Sequence, residues 1–346
     1  MPDSGTVSAP ASAPAPALRG VRRIAPGLVV SLLGAALAVG LNLLVPALSP
    51  MLVAILIGAV LANLLPGGVP DVLAPGLAVS SRRLLRLGVV LLGLQLVLGD
   101  ILALGWTVVV GVVAIVGGTI AVTLGLGRLL RIDRTQTLLI AAGFSICGAA
   151  AVAGMEGVLT KRKDEEAAAA VALVVVFGTL MIAVMPTLSA VLGLDPRTAG
   201  IWTGGSTHEV AQVVAAAGII GPAALKVAVV VKLARVLMLA PVLGVVSWRQ
   251  RSEAVDAGRT RPPLVPLFVA AFLVMVLVRS LGVVPESVLA VAKFGQSWLL
   301  AAAMFALGTS VHRSVLRRTG GRPVLLATLS TLVVIAIAGV VALSSH

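Results

Sequence analysis

Cysteine occurs once in this 346-residue chain, as Cys147, which excludes an intrachain disulfide and the usual multi-cysteine zinc centres. Tyrosine is missing, and six Phe with four Trp bring aromatics to only 3% of residues. An aromatic cage or a base-stacking platform is therefore not expected. Charge is scarce: 11% of residues are Asp, Glu, Lys or Arg, with 13 acidic side chains against 26 basic ones. A soluble domain carries about 25% charged residues, so little of this chain is built to face water. No ATP-binding motif is present, and no motif requires a metal or an organic cofactor. No signal peptide is read either, because positive charge and the first long apolar run begin only after Arg19.

What is abundant is hydrocarbon. Apolar residues make up 59% of the chain, and the mean hydropathy is +1.13. Apolar runs of about 20 residues, the length of a helix that crosses a bilayer, recur along it. They lack the alternation of an outer-membrane barrel. Nine look like full crossings: 27–46, 50–66, 84–99, 103–127, 166–191, 222–247, 264–281, 286–311 and 323–344. The fold class expected is an all-α polytopic membrane protein. The net charge of +13 does not mark a nucleic-acid binder. Its arginines and lysines cluster in short loops, at Arg22–Arg23, Arg82–Arg86, Arg128–Arg134, Lys161–Lys163, Arg249–Arg261 and Arg313–Arg322. That is the positive-inside pattern of a cytoplasmic-membrane protein. It predicts a cytoplasmic N-terminus and a C-terminus outside. Residues 1–25 are expected as a disordered cytoplasmic tail, Pro/Ala/Ser-rich over the first 18, and 26–346 as the transmembrane domain.

Two further stretches, 136–160 and 197–220, are apolar but interrupted by Gly, Ser and polar residues. As crossings they would put Lys161-Arg162-Lys163 on the side opposite the other basic loops. As re-entrant hairpins they keep the basic loops together and leave only Arg197 outside. Both arrangements stay open, since Asp164, Glu165 and Glu166 follow the three basic residues. Irregular backbone at membrane depth survives only where protein or a watery cavity surrounds it. The segments "FSICGAAAVAG…VALVVVFGTLMIAVMP" and "GSTHEVAQVVAAAG…VAVVVKLARVLMLAP" resemble each other, with a weaker echo between "RLGVVLLGLQL" and "LAAAMFALGTS". They read as inverted repeats, whose paired broken segments point to a transporter's midplane site; chance likeness among Ala/Val-rich helices is the alternative.

The chemistry concentrates at the two breaks. Ser206-Thr207-His208-Glu209 fits a capping box, with Ser206 as N-cap answered by Glu209, and predicts a helix from Thr207. Ser145 and the backbone around Gly148 offer a matching start, and Gly205 permits close approach to a ligand. Two half-helix N-termini would then cradle an anion. Glu209 either closes the capping box or couples transport. His208 either binds a backbone carbonyl or titrates. Cys147 is a packing residue or a nucleophile, and Gln212 touches substrate or a partner helix. Lys232 and Arg235 lie ten and thirteen residues after Pro222, on one helix face near mid-bilayer. Each costs about 2.5–3.5 kcal/mol there, which a transported anion, Glu209, Glu156 or a lipid headgroup would offset. Gln95 is an isolated polar group, glue between helices or a coupling residue. The tryptophans sit near predicted helix ends.

The strings "GFSICGAAAV", "STHEVAQVVAAAG" and "KLARVLMLAP", in this order among similarly spaced crossings, resemble the YeiH-like bacterial inner-membrane proteins named as sulfate exporters. The likeness spans roughly 25–345. It implies the architecture of the cation/proton antiporter and bile-acid transporter group. There a core, here around 136–247, holds two discontinuous elements and moves against a panel of remaining helices. Ser145, Cys147, Gly148, His208, Glu209, Gln212, Lys232 and Arg235 fall on motif positions. One departure is Gly-Gly-Ser-Thr-His where the family pattern has Gly-Ser-Thr-Val-His, which bears on the capping residue.

The function expected is secondary active transport of a small anion, sulfate or an organosulfonate, by alternating access. The alternatives are an ion-coupled carrier of carboxylates or other organic solutes, a channel or non-transporting subunit, and, least favoured, an enzyme using Cys147 and His208. The partners implied are a small inorganic or organic anion, a proton or sodium ion, and membrane lipids, but no nucleic acid; a homodimer stays open.

Overall fold

The computed structural model describes residues 16–45, 50–65, 67–159, 164–256, 266–312 and 320–345. All regular structure among them is helical. Among the described residues, six spans are long and apolar enough to cross a bilayer: Arg22–Leu44, Trp106–Leu129, Glu165–Val191, Pro222–Gln250, Glu286–Thr309 and Gly321–Leu343. Three of the nine expected crossings do not meet that criterion. Helices α2 (Pro50–Leu64) and α14 (Leu267–Ser280) have 15 and 14 residues, about 22 Å of helix against a hydrocarbon core of about 30 Å. The third, 84–99, is one part of a helical run comprising α3 (Ala74–Val79), a π turn at Ser80–Leu84, α4 (Leu85–Leu92) and a 3₁₀ turn at Gly93–Gln95. Leu96 and Val97 then extend before α5 (Leu98–Ala103). The first helix, α1 (Pro16–Leu44), takes in residues 16–25, expected in the tail; residues 1–15 lie outside the described residues.

Both interrupted stretches form a helix, a break and a second helix. In the first, α7 (Arg134–Ser145) is started by Asp133, whose Oδ1 accepts the Thr135 amide at 2.8 Å. It stops at Ile146, and α8 (Ala149–Val158) follows Gly148. A Cβ on Gly143 would stand 2.9 Å from Val152 Cγ2. Nine residues of continuous helix would separate these positions by about 13 Å, so α8 turns back along α7.

In the second, Asp195 and Pro196 open α10 (Pro196–Ser206), and α11 (Val210–Ile220) follows the break. Gly200 lies against Ala224 and Val227, and Gly204 against Ala228, so α10 runs parallel to α12 (Pro222–Leu237). After the turn at Gly221, α12 doubles back on α11, and Val213 and Ala217 cluster with Ala228. Helices α10 and α11 are therefore antiparallel. The hairpin arrangement holds at both sites.

The two hairpins approach from opposite ends of one span. Gly154 of α8 lies against Leu239 and Leu243 of α13 (Leu239–Asp256), whereas α10 follows residues 224–228. Arg235 lies between and reaches both tips.

Two helix groups result. Helices α1–α4, α14 and α15 (Glu286–Thr309) pack together, with Gly58 and Gly308 letting the α2 and α15 backbones touch. The hairpins pack with α6 (Trp106–Leu129), α9 (Asp164–Val191), α12 and α16 (Gly321–Leu343). Helices α6 and α16, expected in the panel, thus belong with the hairpins: Trp202 is buried and donates to the Ile335 carbonyl at 2.9 Å. An Arg82–Glu156 ion pair of 3.3 Å ties the groups.

The topology is testable by cysteine labelling in a Cys147→Ala background. Arg128→Cys and Lys161→Cys should react with a membrane-impermeant thiol reagent from one side, and Leu192→Cys and Ala223→Cys from the other. Labelling of Arg128→Cys and Lys161→Cys from opposite sides would restore the crossing arrangement.

Candidate functional site at the hairpin tips

A helix that ends inside the bilayer leaves carbonyl oxygens without partners. Here α7 and α10 both end beside Lys232 and Arg235, which are completely buried. Arg235 donates from Nε to Ser145 O at 3.1 Å, and from Nη1 to Gly204 O at 3.1 Å and Thr207 O at 2.9 Å. Its Nη2 reaches Phe144 O at 3.2 Å and Ser145 O at 2.7 Å. Every N–H of the guanidinium is used. Lys232 Nζ donates to Ile146 O at 2.7 Å and Thr207 O at 2.9 Å. The two cations thus hold the negative ends of two half-helices. Of the two expected to contact a transported anion, Arg235 has no donor left for one in this arrangement, whereas Lys232 has two of its three N–H groups engaged.

The opposite polarity appears at α8 and α11. Glu209, 4% exposed, is the N-cap of α11. Its carboxylate accepts the Gln212 backbone N–H, while the Gln212 side-chain oxygen accepts Glu209 N–H at 3.0 Å. The capping box is therefore Glu209/Gln212, three residues later than Ser206/Glu209. Ser206 closes α10 instead, its hydroxyl turned to Trp202 O at 2.7 Å, and Thr207 is extended. Glu209 Oε1 also accepts Ala149 N–H at 2.9 Å, at the start of α8. One carboxylate bridges two helix N-termini. The cradle expected for a foreign anion already holds one from the protein.

Gly148 makes this approach feasible. Its φ is +72°, which favours glycine, and a Cβ there would collide with the Glu209 side chain. Gly178 on α9, which sequence reasoning passed over, serves the same purpose for Gln212: a Cβ would overlap the Gln212 amide. A glycine within "VVVFGTLM" is the only signal that could have marked it.

A cavity of about 30 Å³ lies at this point, between the two helix groups. It is lined by Cys147, Ala150, Glu209, Val210 and Ala211 on the hairpin side, and by Met51, Leu85, Val89, Leu300 and Met304 on the other. That volume suits roughly one water molecule. Of the residues singled out in the sequence, only Cys147 and Glu209 line it.

The others lie elsewhere. Ser145 turns its hydroxyl to Ala141 O at 2.6 Å, so neither tip serine offers its proton to a ligand. Gly205 packs against Ala338 and Ile115. His208 lies against Phe144, with centroids 4.5 Å apart and ring planes tilted by 55°, and its Nε2 lies 3.3 Å from Thr331 Oγ1. It does not face the cavity and is not paired with Cys147 there. Its Nδ1 and the hydroxyls of Thr203 and Thr207 have no hydrogen-bond partner among the described residues. Glu156 is engaged by Arg82, away from the tips. Gln95 is exposed in its 3₁₀ turn.

The class this defines is a multi-pass helical membrane protein with two opposed hairpins meeting inside it. The sequence profile described as Conserved hypothetical protein 698 matches residues 26–327. A UPF0324 membrane protein of Corynebacterium glutamicum is 50% identical over 327 residues, 94% of each chain. One from Pseudomonas aeruginosa is 38% identical, covering 89% of this chain and 91% of its own. A third, from Bacteroides thetaiotaomicron, is 35% identical, covering 81% and 85%. No solved structure matches the chain at a significant level. The chain belongs to this family of UPF0324 membrane proteins.

Two substitutions test the tip architecture. Arg235→Ala strands buried carbonyls and removes charge-assisted hydrogen bonds worth about 1.5–3 kcal/mol each. It should cost at least about 3 kcal/mol, read as a large fall in melting temperature and in yield of folded protein. A wild-type melting curve would show that the clamp is dispensable. Gly178→Ala should destabilise by displacing Gln212, and Gln212→Ala should relieve part of that loss in the double variant; simple additivity would deny that the two are coupled.

Proposed function

We propose that the chain is a secondary transporter of a small anion across the bacterial cytoplasmic membrane, working by alternating access. The observation that carries this reading is the convergence of two half-helix N-termini on one buried carboxylate, at the seam between two helix groups. Such termini favour negative charge, and a seam is where relative movement can expose a site first to one side and then to the other. The opposed hairpins are in keeping with the inverted repeats read from the sequence and with the antiporter-like architecture. The nine-crossing count is not needed for it.

Charge favours an anion over a cation as cargo. Lys232 and Arg235 contribute +2 and an ionised Glu209 contributes −1, leaving +1 in the protein interior. The helix ends do not alter this. Two C-termini at about −0.5 and two N-termini at about +0.5 cancel. Glu209 then acts as a tethered occupant. When it takes up a proton, its claim on the Ala149 amide weakens and the cradle opens to an anion from solution. The groups facing it are Lys232 and Cys147, with apolar side chains from the other helix group. Cargo and proton binding are thereby linked.

Sulfate or an organosulfonate is the cargo favoured by the resemblance of the tip motifs to the YeiH-like proteins named as sulfate exporters. Export, the direction that resemblance implies, needs an outward cargo gradient if a proton travels with the anion. A second reading, a carrier of carboxylates, is favoured by the identity of the group that already fills the cradle: Glu209 is itself a carboxylate.

The test is anion binding by purified protein, followed by thermal shift across a pH series. Wild type should bind more tightly as pH falls, and Glu209→Gln should bind with little dependence on pH. A Glu209→Gln protein with the wild-type pH profile would remove Glu209 from the mechanism. If neither sulfate, sulfonates nor small carboxylates bind either protein, the anion reading fails. Preference for carboxylates over sulfate selects the second reading.

A further inference from the structure

A second and larger cavity, about 510 Å³, lies among α6, α7, α8 and α13 and reaches Ala141 and Ala142, within a turn of the first hairpin tip. Its volume falls within the roughly 300–1,000 Å³ typical of ligand pockets. Its depth is hydrocarbon, contributed by Ile120, Leu124, Leu138, Met155, Val242 and Val246. Its lining changes character towards the helix ends, where Arg128, Arg134, Arg249 and Gln250 contribute to it. Arg128 falls in the last turn of α6, and the apolar span containing Arg249 ends at Gln250. These arginines therefore sit where a membrane-spanning helix emerges into the headgroup layer. Pro241 and Val245 on the cavity wall are exposed on the outside of the molecule, and so is Trp248 one turn further on. An exposed tryptophan at a helix end is a residue of the membrane interface.

We propose that this cavity binds an anionic phospholipid of the surrounding membrane, its headgroup phosphate on Arg128 and Arg249 with Arg134 beside them, and an acyl chain in the apolar depth. The division of the lining into a basic mouth and a hydrocarbon interior matches the division of such a lipid. Guanidinium groups recognise phosphate through paired N–H donors. Basic pockets between membrane helices near the headgroup level are of the kind that hold anionic lipids. A soluble anion would gain nothing from the apolar depth, and a zwitterionic lipid brings no net charge to the arginines. The site is independent of the transport reading, because none of its lining residues belongs to the cradle.

The experiment uses the purified full chain in a neutral detergent. Phosphatidylglycerol, phosphatidylcholine with the same acyl chains, and glycerol phosphate without chains are compared. The readouts are melting temperature and lipid retained in native mass spectrometry. Phosphatidylglycerol should raise the melting temperature by several degrees and stay bound, and the other two should do neither to the same extent. In the double variant Arg128→Gln/Arg249→Gln the preference for phosphatidylglycerol over phosphatidylcholine should vanish. In Val242→Phe, which fills the groove, retention of phosphatidylglycerol should fall several-fold while the arginines remain. Equal stabilisation of wild type by the two lipids would overturn the proposal. So would a full effect from glycerol phosphate alone, which would mark a site for soluble anions, or an undiminished lipid preference in the double arginine variant.

Discussion

Two buried cations closing the open carbonyl ends of two half-helices are the interaction on which this molecule rests. Each partner is untenable alone. Five carbonyls, those of Phe144, Ser145, Ile146, Gly204 and Thr207, would lie at membrane depth without donors. Lys232 and Arg235 would be charges in hydrocarbon, costing roughly 2.5–3.5 kcal/mol each on insertion scales. Together they remove most of each other's cost. Arginine suits the position because its planar fork can address carbonyls from both hairpins at once, whereas a lysine in its place would offer three donors from one point.

The clamp also fixes the polarity of everything around it. With cations drawn to the C-terminal ends of α7 and α10, the N-terminal ends of α8 and α11 are left to a negative partner, and Glu209 supplies it to both. Gln212 and Gly178 then hold Glu209 from behind, and Gly148 gives it room in front. Charge, capping and steric clearance agree at one point, the agreement between levels expected where a sequence specifies a single arrangement.

Much of this was legible before any coordinates. Composition and the loop arginines gave an all-helical membrane protein, and charge asymmetry favoured hairpins, which the backtracking of α8 on α7 bears out. Lys232 and Arg235 were visible as costly charges, but their partners were not, because a backbone carbonyl leaves no mark in the sequence. For the same reason Ser145 and Ser206 read as ligand groups although their hydroxyls serve their own helices. The capping box was misplaced because Ser-Thr-His-Glu and Glu-Val-Ala-Gln both fit the pattern, and only the fold decides between them. The surroundings of Glu156 and Gln95 were not legible, because they depend on where each falls along its helix. Glu156 lies far enough along α8 to meet Arg82, and Gln95 stands where the helix tightens into a 3₁₀ turn.

On the transport reading, the clamp decides what can move. The hairpin tips cannot part from each other or from α12 without stranding carbonyls, so they must travel as one body. The seam with the other helix group is different in kind. It is lined there by Met51, Leu85, Val89, Leu300 and Met304, which make no directional bonds. Sliding along such a surface breaks little, and the Arg82–Glu156 pair, its arginine about half exposed, is worth no more than about 1 kcal/mol. Strength within the hairpin body and weakness along its border are what a carrier needs, because binding energy from a single small ion is then enough to shift the balance between two positions of that body.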